Sequence, residues 1–506
     1  PQARSSKLGP AGRTTSGVTR RGAVFGAVGQ GELSVKPGPS RALTVRYAAL
    51  AGLLELAIAV PMPVLVLHMT GRGLDLGIIG LAFTIRALLV VILELPTGGL
   101  ADAIGRRPIA LASQLFTLAS FVLLLFVTGP VTALAYAVLQ GIGSALHSGA
   151  MDAWYVDELN RLEPDAPLQQ HLALVDVSQA GGMLLGSALG GLLPSLVAGL
   201  DLPWPLSGFG ISLFVGVLLR AVVWLLTLVI VREPRAVGTA GARTTSDGTE
   251  QTTVHERVAD ASTPDATTAV GFAAVPAILA DALRLTRSSP VIRWLLVAAG
   301  AGGLAMVSIE TFWQPIAATV FGATAADSRP FAVLGTVAGI AVLCGSLAVL
   351  RWGERFPGGS AALAGFSMLV RGGAMLLFAM TASSAGLGLG LALAYFALAT
   401  NNVPHDTLLH KAVPAARRSS MLSVHSLVFY LGIAVASGPL GWLATQLGPR
   451  AALLVAGLVT LLACAPYAII GRLPTAQSAA RSGAGGLAMS QVAMNAADPS
   501  DPHTDR

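Results

Sequence analysis

Twelve long apolar stretches dominate the sequence, and each is long enough to cross a lipid bilayer as a helix. A spanning helix needs about 20 mostly apolar residues. The stretches cover residues 46–69, 76–97, 108–128, 131–153, 168–197, 208–231, 291–318, 331–351, 359–381, 384–403, 419–446 and 450–471. Only 11% of the residues are charged, whereas soluble domains carry about 25%. The sequence therefore predicts an all-α membrane protein with twelve transmembrane spans.

The remaining segments are polar and divide the spans into two groups of six. Thr, Ala, Ser, Asp and Arg dominate the segment between the groups, and its apolar periodicity is weak. Such a composition predicts disorder, with one surface helix near residues 276–285. The predicted units are a disordered arm (1–43), a six-helix bundle (44–232), a linker (233–287), a second six-helix bundle (288–472) and a disordered tail (473–506).

The basic residues indicate how the chain crosses the membrane. Twenty-six of the 32 lie in the N-terminal arm, in the tail or in the loops after even-numbered spans, and Arg72, Arg329 and Arg450 lie in the opposite loops. Basic residues concentrate in cytoplasmic loops. We therefore predict a multi-pass plasma membrane protein with both termini in the cytoplasm. The positive charge reflects this topology, and no nucleic-acid-binding motif accompanies it.

Residues 98–107, Gly-Gly-Leu-Ala-Asp-Ala-Ile-Gly-Arg-Arg, separate the second and third spans. Ten residues between two spans predict a tight turn, for which the glycines supply backbone freedom. The pattern G-x-L-A-D-x-x-G-R-[RK] resembles the cytoplasmic loop between the second and third helices of the major facilitator superfamily. The alternative is that Arg106 and Arg107 only anchor the helix end. The resemblance implies a conformational switch that contains Gly98, Gly99, Asp102, Gly105, Arg106 and Arg107.

The resemblance also implies the architecture of the whole chain. It predicts two six-helix pseudo-repeats around a central cavity that opens alternately to each side. Weak internal matches support a duplication. Asp102 corresponds to Glu354, which precedes Arg355 in the loop after span 8, and Glu55 in span 1 corresponds to Glu310 in span 7. Glu354 and Arg355 are therefore predicted to belong to the switch of the second half.

The fifth span is rich in small residues. Its sequence from Gly181 to Gly191 resembles the superfamily's antiporter motif G-x-x-x-G-P-x-x-G-G, with Ser187 in the position of proline. The family associates this motif with export. We expect helix packing through Gly182, Gly186, Gly190 and Gly191, with Gly438 and Pro439 supplying a kink in span 11. The alternative is a generic packing face of small residues. In span 4, Gln140-Gly141-Ile142-Gly143 matches part of a drug-exporter motif, whose arginine is replaced by Ala137.

Charged residues inside the spans are candidates for the transport site, because each costs roughly 2.5–3.5 kcal/mol at mid-membrane. Glu55 and Glu310 occupy equivalent positions, and Gln314 follows Glu310 by one helical turn. Both carboxylates could exchange protons or hold a cation. The alternative is that each satisfies a buried arginine or a helix end. Further candidates are Arg86, Asp152, Asp176 and Arg371, and Arg220 is a third cationic residue within a span.

Asp157 and Glu158 follow the fourth span. We expect them at the cytoplasmic face, where they can form a gating salt bridge with Arg106 or Arg107. An exposed pair contributes only about 0–1 kcal/mol, which suits a contact that must open.

These features predict a secondary transporter. The chain lacks a phosphate-binding G-x-x-x-x-G-K-[ST] sequence, so ATP hydrolysis is not the expected energy source. H-E-x-x-H and G-x-S-x-G are also absent, so an enzyme is not expected. Cys344 and Cys464 lie in different spans, and no disulfide, metal or cofactor is predicted. The resemblance to drug:proton antiporters implies a monomer in the bilayer that uses protons as the coupling ion.

The predicted activity is efflux of a small amphipathic compound, a drug or secondary metabolite, through a cavity that mixes the two glutamates with Phe312, Trp313, Phe429 and Tyr430. Two alternatives stay open. One is proton-coupled uptake or export of a sugar or organic anion, which a cavity dominated by Arg86 and Arg371 would favour. The other is a non-transporting receptor, which the long linker favours.

Overall fold

The computed structural model describes residues 38–147, 150–164, 168–231, 276, 280–414 and 417–473. Within its helices, the side chains of residues 98, 99, 101–103, 150, 169, 419 and 420 lie outside that description. The described chain contains helices and no strand. Residues 1–37 of the predicted disordered arm, most of the predicted linker and residues 474–506 of the predicted tail lie outside the described residues. The prediction was wrong for residues 39–43, which are helical. A helix is present at residues 280–288, where the surface helix was predicted.

The described residues of the N-terminal half form eight helices. They are α1 (Pro39–Ala59), α2 (Leu65–Gly71), α3 (Leu76–Ile104), α4 (Arg106–Leu125), α5 (Pro130–His147), α6 (Ala150–Leu162), α7 (Leu168–Leu196) and α8 (Gly210–Ile230). A single 3-10 turn, Met62–Val64, separates α1 from α2. Pro61 precedes this turn and Pro63 lies within it, and proline interrupts the hydrogen-bonding pattern of an α-helix. The first span is therefore built from two helical pieces.

In the C-terminal half, the part of the chain that the structure describes forms eight more helices. They are α9 (residues 280–288), α10 (Pro290–Phe321), α11 (Arg329–Trp352), α12 (Gly359–Met380), α13 (Ser384–Ala412), α14 (Arg418–Leu447), α15 (Pro449–Leu462) and α16 (Cys464–Arg472). A 3-10 turn, Gly353–Arg355, follows α11. Pro439 lies inside α14, which continues as one helix from Arg418 to Leu447.

Eleven helical segments among the described residues are long and apolar enough to cross a membrane, and they coincide with eleven of the predicted spans. The remaining prediction, one span over residues 131–153, corresponds to two helices. The first is α5, which ends at His147 and packs against α3 and α4. The second is α6, which begins at Ala150. Residues 148 and 149, which separate these two helices, lie outside the described residues.

The predicted ten-residue turn at residues 98–107 is also wrong. The helix α3 continues through these residues to Ile104, and α4 begins at Arg106. Gly105 alone makes the reversal, with a φ of 102°. Only glycine adopts this backbone conformation at little cost, so one residue suffices where the sequence pattern predicted ten. Gly98, Gly99 and Asp102 therefore belong to the last turns of α3, and their side chains lie outside the described part.

The spans alternate in direction, so the bundle has two distinct ends. We call the end that holds residues 38 and 473 the terminal end, and the end that holds residues 72–75, 197–209, 322–328 and 448 the far end. Contacts between the halves concentrate at the far end. The hydroxyl of Thr445 donates a 3.4 Å hydrogen bond to the carboxylate of Asp75 and accepts a 2.9 Å hydrogen bond from the backbone N–H of Gly77. Ser328 donates to the carbonyl of Gly191 (2.6 Å). The halves are thus closed against each other at the far end.

Gly80 in α3 lies directly against the backbone of α14, across the boundary between the halves. A methyl group at this position would lie 2.2 Å from the carbonyl oxygen of Ser437 in α14. We predict that Gly80→Ala separates the two halves at the far end, because a rigid backbone atom cannot yield to the methyl group. Spin labels at residues 200 and 383 should report a longer distance in the variant. Gly388→Ala is the control, since no atom lies within 4 Å of its added methyl group, and an unchanged distance in Gly80→Ala would contradict the prediction.

The glycines predicted to pack in α7 face two partners. Methyl groups at Gly182 and Gly186 would lie 2.0 and 2.7 Å from backbone carbonyl oxygens of α1, and one at Gly190 would lie 1.6 Å from that of Val60, the residue that follows α1. Gly191 instead faces Ala332 of α11, across the boundary between the halves. A methyl group at Gly438 in α14 would lie 3.3 Å from the hydroxyl oxygen of Thr84. The small residues of α7 therefore bring its backbone against α1 in one half and α11 in the other.

Candidate functional site

A cavity of about 360 Å³ lies between the two halves. Helices α1, α2, α3, α5 and α7 line it from the N-terminal half, and α10, α11, α13 and α14 line it from the C-terminal half. Its polar side chains include four predicted site residues, Glu55, Arg86, Glu310 and Gln314. Most of the remaining wall is apolar or aromatic, with Phe83, Trp313, Phe429 and Tyr430 among its members. Phe312, which we predicted in the cavity, packs in the core and is 2% exposed.

Glu310 is held by a residue that the sequence analysis did not identify. The hydroxyl of Tyr395 in α13 donates a hydrogen bond to its carboxylate. Tyr395 also lines the cavity. An aromatic residue in an apolar span carries no sequence signal that distinguishes it from a packing residue. Tyr136 of α5, in the N-terminal half, also lines the cavity.

Arg371 lies behind this pair and outside the cavity wall. Its side chain is 2% exposed, and its Nε and one terminal nitrogen have no hydrogen-bond partner among the described residues. The guanidinium interacts electrostatically with Glu310 and Tyr395. The cavity is therefore not dominated by Arg86 and Arg371. A cavity dominated by these two residues would have favoured the organic-anion alternative.

Gln314 closes the far end of the cavity. Its amide nitrogen donates to the carbonyl of Met62 (2.9 Å), and its amide oxygen accepts from the backbone N–H of Val66 (2.9 Å). Both backbone groups are available because the first span breaks between Ala59 and Leu65. One side chain of the C-terminal half thus satisfies the helix break of the N-terminal half and joins the two halves.

We predict that Gln314→Leu destabilises the protein by about 2–4 kcal/mol, because it leaves two buried backbone groups without partners at about 1–2 kcal/mol each. Thermal unfolding of the purified protein should show a lower Tm. Gln446→Leu is the matched control, since Gln446 is exposed at the same end of the bundle. Equal Tm values for the two variants would show that the hydrogen bonds of Gln314 with Met62 and Val66 add nothing to the stability of the folded protein.

Asp152 and Asp176 lie away from the central cavity. Both line a separate groove at the terminal end, together with Arg106, Asp157 and Gln179. Asp152 accepts a 2.8 Å hydrogen bond from the hydroxyl of Tyr47. The structure therefore places two of the predicted proton or substrate residues near the predicted switch and not beside Glu55 or Glu310.

The predicted switch contains one of its expected salt bridges. Arg106 and Asp157 lie 2.5 Å apart, N to O. Glu158 was predicted to join this contact, but it pairs with Arg161 one helical turn away (2.5 Å), and this hydrogen bond raises the pKa of Arg161. Arg107 donates to the carbonyl of Leu228 in α8 (3.0 Å). In the second half, Arg355 donates to the carbonyl of Arg351 (2.8 Å), and Glu354 is exposed.

Comparisons with known proteins agree on the fold. A sequence model described as the Major Facilitator Superfamily matches residues 47–437. The solved structure of the nucleoside transporter NupG covers 85% of this chain and 99% of its own, with 13% identity and a TM-score of 0.64. A bacterial homolog of the human lysosomal transporter Spinster, in an inward-facing and unoccupied conformation, covers 86% and 98%, with 17% identity and a TM-score of 0.61.

The human organic anion transporter MFSD10 (TETRAN) is also similar. It covers 85% of this chain and 100% of its own, with 20% identity and a TM-score of 0.52. At these identities the likeness concerns the fold alone. No curated protein sequence matches the chain.

Proposed function

Because the chain belongs to the major facilitator superfamily, and is therefore a multi-pass secondary transporter, we propose that it exports a small amphipathic compound in exchange for protons. The compound binds in the central cavity, and the two halves open it alternately to each side of the membrane. The drug:proton antiporter branch is part of this proposal.

The observation that carries the proposal is the composition of the cavity wall. Two carboxylates from opposite halves, Glu55 and Glu310, face a space whose other walls are largely apolar and aromatic. Aromatic and aliphatic side chains bind the apolar part of a compound, and a few polar groups orient it. Carboxylates within membrane spans commonly serve proton relays. The same cavity can therefore bind an amphipathic compound and exchange a proton.

Contacts at the far end support alternating access. The cavity lies between the halves, and Gln314, Gly80 and Ser328 join them on one side of it. The salt bridge between Arg106 and Asp157 lies at the terminal end, within the N-terminal half. Export is favoured over uptake by the antiporter-like sequence of α7, whose glycines contact the backbone of α1.

Proton movement in everted membrane vesicles with an acid interior tests the proposal. We expect compounds from a panel of amphipathic cations, neutral antibiotics and organic anions to release protons from the vesicles. The response should be lost in Glu55→Gln or Glu310→Gln if that residue carries the proton. A wild-type protein that moves radiolabelled compound without any proton release would contradict the exchange.

A further inference from the structure

A second chamber adjoins the central cavity, and all of its lining residues except Tyr430 belong to the N-terminal half. It has a volume of about 370 Å³. The chamber and the cavity share five lining residues, Ile58, Met62, Arg86, Tyr136 and Tyr430. A compound in the cavity can therefore extend one of its groups into the chamber.

Two arginines line this chamber, Arg86 from α3 and Arg220 from α8. Arg220 is 4% exposed, and its guanidinium lies 4.2 Å from the centre of the Phe121 ring. The two guanidinium groups are close enough to interact electrostatically. Neither makes a hydrogen bond or salt bridge with a described residue, and the Nε atom of each is buried without a partner. Two like charges without a hydrogen-bonded counterion are unfavourable in a low-dielectric interior.

The rest of the chamber wall offers hydrogen bonds but no compensating charge. Gln114, Thr117, Gln140 and Ser144 are among its lining residues, and no carboxylate of the described chain lines it. Glu55, in the wall of the central cavity, interacts electrostatically with Arg220. One carboxylate cannot neutralise both arginines. The chamber therefore has an excess positive charge and free donors.

We propose that this chamber binds an anionic group, a carboxylate or phosphate, of the transported compound, while the apolar body of the compound lies in the central cavity. Guanidinium donors match the geometry of carboxylate and phosphate oxygens. An anion between Arg86 and Arg220 would offset their mutual repulsion and satisfy their unpaired nitrogens. The inference rests on the proposed function, because it assigns the central cavity to the cargo.

Three compounds with one aromatic body test this assignment. Naphthylacetate, naphthylethanol and naphthylethylamine carry an anionic, a neutral and a cationic group. We expect naphthylacetate to raise the Tm of the purified full chain more than the other two. Arg220→Met and Arg86→Gln should each weaken its binding at least about tenfold, the effect of losing one charge-assisted hydrogen bond. Arg450→Gln is the control, because Arg450 binds the carbonyls of Ala379 and Thr381 at the far end.

The stability of the cargo-free protein gives a second readout. Arg220→Met removes one of two like charges, so we expect its Tm without ligand to equal or exceed that of the wild type. A structural arginine would instead lower the Tm when replaced. Arg86→Gln provides the binding test on its own if Arg220→Met does not fold. Stronger binding of the neutral or cationic compound, or full naphthylacetate binding in the arginine variants, would overturn the anion site. Binding is measured without a pH gradient, so a failure of proton exchange is a separate result.

Discussion

Glu310→Gln is expected to abolish proton-driven net transport while the protein still exchanges its cargo across the membrane. The amide resembles a protonated carboxyl group, so it can keep the hydrogen bond from Tyr395 but has no proton to release. A positioned acid or base typically contributes about 100-fold or more to a proton-transfer step. We therefore expect at least about a 100-fold lower net flux under an imposed pH gradient.

Proteoliposomes separate the two activities. Net flux is measured with a pH gradient, and exchange is measured with equal pH and cargo on both sides. Glu163→Gln is the control, because Glu163 accepts a hydrogen bond from Ser40 at the terminal end (2.5 Å) and does not line the cavity. Parallel loss of net flux and exchange in Glu310→Gln would show that Glu310 binds cargo or supports the fold, and that it is not the coupling group.

Gly190→Ala is expected to destabilise the folded protein by about 3 kcal/mol or more, at the upper end of overpacking effects. The added methyl group would lie 1.6 Å from the carbonyl oxygen of Val60 and 2.5 Å from its carbonyl carbon. A backbone atom cannot rotate away, so α7 must move from α1. The movement also strains the 2.7 Å hydrogen bond that Ser212 donates to the carbonyl of Gly190.

Thermal unfolding in detergent measures this effect. Gly181→Ala lies on the same helix and has no atom within 4 Å of its added methyl group. It should leave the Tm unchanged or slightly raised, because alanine is the better helix former. Similar Tm values for Gly190→Ala and the wild type would mean that α1 and α7 are not in direct backbone contact.

Residues whose chemistry is rare in a membrane span could be identified from the sequence. Glu55, Glu310 and Arg86 stand out in apolar stretches, and all three line the cavity. The position of Arg371 behind the wall could not be predicted, since it depends on how α12 is rotated against its neighbours. Tyr395 could not be distinguished from a packing residue, because its role depends on a contact with another helix.

Local geometry explains the two errors near the switch. A turn can be made by Gly105 alone, and the residues before it favour helix, so the sequence pattern marked the right place and overestimated the length of the turn. Glu158 has Arg161 three residues ahead on the same helix face. Such a local pair forms without any tertiary movement, and it competes with the distant arginines that the pattern suggested.

The most direct test of the account is whether a pH gradient alone drives transport. Purified protein is reconstituted in liposomes, a pH gradient is imposed, and the uptake of a radiolabelled compound that releases protons in vesicles is followed with and without a protonophore. The account predicts accumulation above the external concentration in the more acidic compartment, and collapse of that accumulation when the protonophore is added. Equilibration to equal concentrations, unaffected by the protonophore, would contradict proton-coupled export.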